Sequence, residues 1–370
     1  MYDKCLSPIR CFASVGRYYQ GPHAIELLPS IIKKEGSAVF ILIDEFFYDD
    51  YSMRLKEKLA GEGIDSLCFK AERQITDAAL GRLQLAVQSA HITPDVYIGI
   101  GGGKTCDAIK CMGDVFKRPI IEVPTALATD APPTSHSMVY HEDGSSYVYA
   151  HLRSPEYVLV DTAITIDAPA VTFSSGLGDA LATYFESVAI NAFGHPTLAG
   201  RANFRRTCTG MMIAKLCYDI LLNSGLQAYE SAKTHQLSEA YEDTAEALTL
   251  LSGLGVENTG CSVAHGLEKY IHYIARKPIL HGQGVGYGTL VQMILERRDG
   301  GEFERIYNWC KAVDLPVCMA DFHVENAKEG IETLAHEAIK DYLIIREPFE
   351  VTEEKLVSAI TALEQYGKLR

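Results

Sequence analysis

Up to about residue 165, short runs of β-branched and aromatic residues alternate with longer amphipathic stretches, the pattern of parallel strands joined by helices. The runs Ala38–Asp44, Asp65–Phe69, Asp95–Gly101, Ile120–Pro124 and Tyr157–Asp161 predict strands. Between them, DDYSMRLKEKLAGEG and TDAALGRLQLAVQSA repeat apolar residues at helical spacing and predict helices. After Asp161 the β-rich runs stop, while GDALATYFESVAINAF, RRTCTGMMIAKLCYDILLNSG and SEAYEDTAEALTLLSGLG keep a helical period almost to the end. The expected organisation is an α/β parallel-sheet domain over residues 1–165 and an all-α domain over residues 166–370, with the change falling between Asp161 and Pro169.

At 370 residues the chain exceeds the size at which one core stops growing, which agrees with two domains. Its 47% hydrophobic and 22% charged residues are those of an ordinary globular chain. A net charge of −14 and scattered basic residues leave no cationic stripe for a phosphate backbone, so nucleic acid is excluded as an expected partner. The ten cysteines form no C-x-x-C pair and sit mostly among apolar neighbours, so they are expected to be reduced, buried thiols. Neither a signal-peptide run at MYDKCLSPIRCF nor a membrane-length apolar stretch is found, and a cytoplasmic protein without a membrane partner is expected.

The sharpest local signal is Tyr97-Ile98-Gly99-Ile100-Gly101-Gly102-Gly103-Lys104-Thr105, an apolar strand entering three glycines and then a helical pattern from Thr105 to Phe116. Glycines allow close backbone approach to an anion, and free N–H groups at a helix start point toward it. The segment fits neither the Walker A loop nor G-x-G-x-x-G, and a tight turn without a ligand would use the same glycines. Asp44, ending a neighbouring strand, suits a ribose diol and repels a 2′-phosphate, although acids also end strands for turn formation. The stretch from Glu122 to Ser137 is too long and hydroxyl-rich for a minimal turn, and it follows a strand whose carboxyl end should face the same crevice. In the helical half, Asp179 is read as opening a helix, and His265 and His281 lie further along. One carboxylate and two imidazoles are the donors of an open divalent-metal site. Helix capping and core packing would use the same three residues, and spacing alone does not decide.

Taken together, the segments resemble the glycerol dehydrogenase branch of the iron-containing (group III) alcohol dehydrogenase family, whose fold is shared with dehydroquinate synthase. The resemblance runs in order through Gly16-Arg17-Tyr18-Tyr19-Gln20-Gly21, Gly101-Gly102-Gly103-Lys104-Thr105-Cys106-Asp107 and Pro124-Thr125-Ala126-Leu127-Ala128-Thr129-Asp130-Ala131-Pro132. It continues through Val160-Asp161-Thr162, Gly176-Leu177-Gly178-Asp179-Ala180-Leu181-Ala182-Thr183, Val263-Ala264-His265 and His281-Gly282 to Gln365-Tyr366-Gly367. It implies a Rossmann-like, dehydroquinate synthase-like architecture, with Asp179, His265 and His281 as ligands of zinc, or alternatively of iron(II). Gly102, Gly103, Lys104 and Asp107 would lie at the pyrophosphate of NAD and Asp44 at its adenosine ribose. Thr125, Thr129, Thr134 and Tyr140 would be further cofactor contacts, and Asp130 would hold the polyol. The implied catalytic set is Asp130, Asp179, His265 and His281.

The implied activity is oxidation of glycerol or a related vicinal diol to the hydroxyketone, in a homo-oligomer, an octamer by resemblance. The alternatives are a dehydrogenase of the same fold for another diol, a hydroxy acid or a polyol phosphate, and a nucleotide-binding relative without turnover. Three departures from the family pattern stand out. Pro133-Thr134-Ser135-His136 replaces a small residue followed by Ser, Ala and Leu. Gly266-Leu267-Glu268-Lys269 replaces Ala-Val/Ile-His-Asn, and His281-Gly282-Gln283-Gly284 replaces His-Gly-Glu-Lys.

Overall fold

The computed structural model describes residues 7–143, 145–201 and 203–368. Two compact units divide the chain: Ser14–Ala168, and Pro169–Arg370 together with the residues before Ser14. The change of periodicity near residue 165 marks one join but carries no sign of the other. Residues 7–13 lie with the second unit because Ser7 and Cys11 donate backbone hydrogen bonds to Asn203 and Arg205, and Ala13 N–H donates to Asn258 Oδ1.

The first unit contains β1 (Arg17–Gly21), α1 (Leu28–Glu35), β2 (Ala38–Ile43), α2 (Glu45–Gly61), β3 (Asp65–Lys70), α3 (Asp77–Gln88), β4 (Val96–Gly101), α4 (Gly103–Phe116), β5 (Ile120–Pro124), β6 (His136–Tyr140), β7 (Ser146–Ala150), β8 (Tyr157–Asp161) and the single turn α5 (Thr162–Thr165). Six strands form a parallel sheet in the order β1-β8-β5-β4-β2-β3, and β6 and β7 form a separate antiparallel hairpin. The four inner strands are buried along their length, so both sheet faces must be covered. Alternate residues serve the two faces. Val39, Ile41, Ile43, Ile98 and Ile100 pack with Ile31, Ile32, Leu55 and Leu59 of α1 and α2, whereas Phe40, Leu42 and Tyr97 pack with Leu80, Leu83, Ile109 and Met112 of α3 and α4.

All five predicted strands are present to within a residue at each end. The edge strand β1 and the hairpin were not anticipated, and the hydroxyl-rich stretch read as running to Ser137 gives way to strand at His136. Because β2 connects outward to β3 while β4 connects in the opposite direction to β5, the strand order reverses between β2 and β4. Open α/β sheets take ligands at the carboxyl ends flanking such a reversal, and the residues there are Asp44 and Gly101-Gly102-Gly103.

The second unit is helical: α6 (Ala170–Phe193), α7 (Cys208–Thr234), α8 (Glu239–Glu246), α9 (Ser252–Asn258), α10 (Val263–Ile274), α11 (His281–Leu295), α12 (Gly300–Ala312), α13 (Ala327–Ala338) and α14 (Glu353–Lys368), with one π-helical turn between α8 and α9. Helix α6 packs against α7 and α11, and α10 packs against α11. Asp179 does not open a helix, as the sequence suggested; it lies well inside α6, which starts at Ala170. The preceding Gly176 and Gly178 are helical and buried. A Cβ at Gly178 would stand 2.1 Å from the carbonyl oxygen of Gly282 on α11, so this glycine permits a backbone-to-backbone contact and does not break the helix.

Among the described cysteines, Cys106, Cys111, Cys217 and Cys310 are buried free thiols as expected, but Cys208 is exposed and Cys11, Cys68, Cys261 and Cys318 are partly exposed. Cys5 and the first six residues of the amino-terminal stretch lie outside the described residues. No described helix is long and apolar enough to cross a membrane.

Candidate active site

In the first unit the cradle is built by close contacts that only small residues allow. Gly102 caps α4 with no side chain, so the N–H groups of the first turn have no local side-chain acceptor. A Cβ at Gly101 would lie 2.5 Å from Thr105 Oγ1 and 2.9 Å from Asp44 Cβ; one at Gly103 would lie 2.8 Å from Thr129 Oγ1. Thr125 N–H donates to Gly101 O at 3.1 Å. Asp44, Gly101 to Gly103, Thr125 and Thr129 are thereby drawn together, with Lys104 exposed on the first turn of the helix. Asp44 uses one carboxylate oxygen to accept from Phe46 N–H and cap α2. Asp130 follows Thr129 in the same loop and is half-buried.

Two of the other residues expected at the cofactor, Asp107 and Thr134, make internal contacts. Asp107 is buried, its Oδ1 is 3.0 Å from Lys110 Nζ, and its Oδ2 accepts from Met138 N–H. Lys110 is fully buried, and its ammonium also donates to the carbonyls of Ala131 and His136. Thr134 donates to Ala131 O at 2.9 Å within this cluster. Asp107 and Thr134 therefore fasten the 131–136 loop and β6 to α4; a buried charge pair is retained only when its donors and acceptors are met in this way. Tyr140 ends β6, where its N–H donates to Ile75 O. The same hairpin carries Ser137 Oγ 2.7 Å from His151 Nε2 and His151 Nδ1 3.6 Å from Asp114. This has the composition of a nucleophilic triad, but Ser137 is buried and its hydroxyl donates to Asp107 O, so it is a fastening of the hairpin.

The second unit gathers Asp179 from α6, His265 from α10 and His281, the first residue of α11. One ligand atom from each lies within 4.8 Å of the others. His265 Nε2 is 3.4 Å and His281 Nε2 3.3 Å from the same oxygen, Asp179 Oδ1. The opposite ring nitrogens meet carboxylates: His265 Nδ1 lies 2.6 Å from Glu186 Oε2 and His281 Nδ1 3.2 Å from Glu268 Oε1. Glu186 is held in turn by the N–H groups of Ser262 and His265. A carboxylate only accepts, so each Nδ1 donates to the glutamate behind it, and each Nε2 is left facing Asp179.

Two imidazole Nε2 atoms converging on one carboxylate oxygen place three potential metal donors around one point. A tetrahedral ion with ligands at about 2.0–2.1 Å separates those ligands by roughly 3.3 Å, which matches the two observed spacings. The residues therefore fit a divalent metal, and three protein donors leave one position open. Without an ion the histidines carry the compensating charge: burial pushes both imidazoles down, but Cys261 and Glu186 beside His265, and Glu268 and Asp179 beside His281, outweigh it and raise both well above the usual range. Burial pushes the Asp179 carboxyl up, but His281 and His265 outweigh it and hold the group well below the usual carboxylate range. Burial likewise pushes Glu268 up, and His281 and His272 bring it down to about 2. Glu186 lies seven residues after Asp179, on the same face of α6, a signal that sequence reading could have used. Glu268 was visible only as a departure from the family pattern.

A glycine cradle at a sheet reversal and a carboxylate–bis-imidazole cluster are the two sites that a metal-dependent nicotinamide oxidoreductase needs. The sequence profile of the iron-containing alcohol dehydrogenases matches residues 16–162. The chain is 34% identical over 366 residues to glycerol dehydrogenase of Thermotoga maritima, covering 96% of this chain and 97% of that one. Among solved structures, a probable glycerol dehydrogenase from Sinorhizobium meliloti matches with TM-score 0.87 at 30% identity, covering 97% of this chain and 99% of that one. Glycerol dehydrogenase from Schizosaccharomyces pombe matches with TM-score 0.91 at 27% identity, covering 98% and 92%. The chain belongs to the iron-containing alcohol dehydrogenase family and is an NAD-dependent alcohol oxidoreductase.

Proposed function

We propose that this chain oxidises glycerol or a related vicinal diol to the hydroxyketone, glycerol giving dihydroxyacetone, while NAD is reduced to NADH and a proton is released. The observation that carries the reading is the convergence of two imidazole Nε2 atoms on Asp179 Oδ1, each ring held from behind by a buried carboxylate. Asp179, His265 and His281 hold a divalent metal, which we take to be zinc because the reaction asks for no redox change at the metal; iron(II) suits the same donors. When bound, the metal supplies Lewis acidity that lowers the pKa of the substrate hydroxyl, and NAD supplies the hydride acceptor.

The chain's own residues bind and orient. The N–H groups at Gly102 and Gly103, with Lys104, receive the pyrophosphate at the start of α4. Asp44 accepts from the adenosine ribose with the oxygen not used to cap α2, and its charge repels a 2′-phosphate. Thr125 and Thr129 line the cradle beside the glycines. Asp130 orients a second hydroxyl of the substrate; a carboxylate left without that partner disfavours simple alcohols.

The test is NADH formation with glycerol by chelator-stripped protein, alone and reloaded with zinc or iron(II), against a panel of diols, hydroxy acids and polyol phosphates. Zinc-restored glycerol oxidation that His265→Ala abolishes, with the fold retained, is the expected result. Restored turnover only with another panel member overturns the substrate. No turnover with either nucleotide despite bound metal moves the chain to a binding role.

A further inference from the structure

Two of the sequence departures meet at one point of the metal centre. Glu268 lies on α10, one turn after His265, and is 8% exposed. Its Oε1 is 3.2 Å from His281 Nδ1 and, on the other side, 3.2 Å from His272 Nε2, one further turn along α10. His281 is otherwise the least enclosed of the three ligands, with 37% of its side chain exposed, against 14% for His265 and 1% for Asp179. It also stands at the first position of α11, where no preceding turn restrains its ring. The space that Glu268 occupies exists because residue 284 is glycine: a Cβ there would lie 2.8 Å from Glu268 Cγ.

We propose that Glu268 is a positioning residue for His281, and that Gly284 is the cleared space that lets it reach the ring. The inference rests on the reading of Asp179, His265 and His281 as the metal ligands. Glu268 accepts the Nδ1 proton, so Nε2 is kept as the donor atom and the ring plane is fixed toward Asp179. His272 holds the carboxylate from the solvent side. The departures at positions 268 and 284 are thus one device, in which the glycine gives up a side chain so that the carboxylate fits. Removal of such a partner behind a ligating histidine typically weakens metal binding about 10- to 100-fold.

The experiment uses the full chain, stripped by chelator. Zinc affinity is measured by competition with a chromophoric chelator, and the visible spectrum of the cobalt(II)-loaded protein reports ligand geometry. Glu268→Ala is expected to bind zinc about 10- to 100-fold more weakly and to shift the cobalt bands. Glu268→Gln keeps an acceptor at Oε1 and should return to within a few-fold of the parent. Gly284→Ala, with Glu268 present but displaced, should fall toward the alanine variant. Parent-like affinity and spectrum in Glu268→Ala overturn the proposal. So does equal weakening in the alanine and glutamine variants with early melting of both metal-free proteins, which assigns Glu268 to packing between α10 and α11. A parent chain that binds neither metal, or a His281→Ala variant that binds as well as the parent, removes the metal-centre reading itself.

Discussion

Substituting Gly282 by alanine should disable the metal centre without touching a ligand. Gly282 follows His281 in the first turn of α11 and faces α6, where its N–H donates to Ser175 Oγ at 3.0 Å. A Cβ at this position would stand 1.7 Å from the Ser175 carbonyl oxygen, 2.6 Å from its carbon and 2.9 Å from Asp179 N. Ordinary contact begins near 3.4 Å, so the two helices have to part by about 1.7 Å at this point. The obstacle is helix backbone, which has no rotamer to change, so the strain falls at or above the upper end of the ~1–3 kcal/mol usual for overpacking. Function should suffer more than stability. His281 Nε2 and Asp179 Oδ1 are 3.3 Å apart, and a parting of this size opens the spacing that a small cation requires. A displacement of about 1 Å in a catalytic constellation typically costs about 100-fold in rate. The assay pairs thermal melting of the metal-free chain with zinc affinity and NADH formation. Loss of zinc binding and of at least about 100-fold in kcat/KM, in a chain that still melts cooperatively, is expected. A Gly282→Ala protein with parental zinc affinity and rate would refute the argument that this contact sets the ligand spacing.

Asp44→Gly should lower the preference for NAD over NADP, read as the ratio of kcat/KM values, at a stability cost of only a few tenths of a kcal/mol because glycine also serves at a helix N-cap. Unchanged discrimination would mean that Asp44 does not face the ribose. Glu122, fully buried on β5, has its carboxyl pushed by burial up to about 8, against the opposing pull of Lys110. The folded chain therefore keeps a proton that the unfolded chain releases above about 4.5, and stability contributed there is complete at low pH and lost as pH rises through about 8. Glu122→Gln removes the titration, so its melting temperature should gain on the parent between pH 5 and about 9; a pH-independent difference would contradict the assignment. Gly102→Ala meets open space and a φ of −75°, so melting should be unchanged or slightly raised while NAD affinity falls; retained affinity would show that the ligand does not approach there.

Legibility followed burial for every strand but the half-exposed edge strand β3, which its sequence predicts all the same. The strands β2, β4, β5 and β8 are enclosed on both faces and read as unbroken apolar runs, which local composition reveals. The edge strand β1, RYYQG, is half-buried and the hairpin strand β7, SYVYA, is exposed, and neither carries such a run; their pairing comes from partners elsewhere in the chain. The grouping of Asp179, His265 and His281 was legible through motif order, while spacing alone left it open. The carboxylates behind the histidines were harder, because Glu268 takes its meaning from His281, a residue on the next helix. Asp107 and Thr134 went the other way. They sit in motif-like positions, and only the buried Lys110 between them reveals that they hold the loop.

Glycine carries two opposite signals in this chain, and sequence does not separate them. At Gly102 the missing side chain leaves open space, as a loop that admits a ligand requires. At Gly178 and Gly282 it lets one helix backbone rest on another, with hypothetical Cβ atoms at 2.1 and 1.7 Å from carbonyl oxygens. A local reading treats glycine before an acid as the end of a turn and makes Asp179 a helix cap. The partner that changes the reading is about a hundred residues away. Once α6 and α11 touch through glycine, Asp179 and His281 are held side by side by main chain, and main-chain contact is stiffer than any pairing of side chains. The juxtaposition of Asp179 and His281 therefore depends on residues that bear no chemistry of their own.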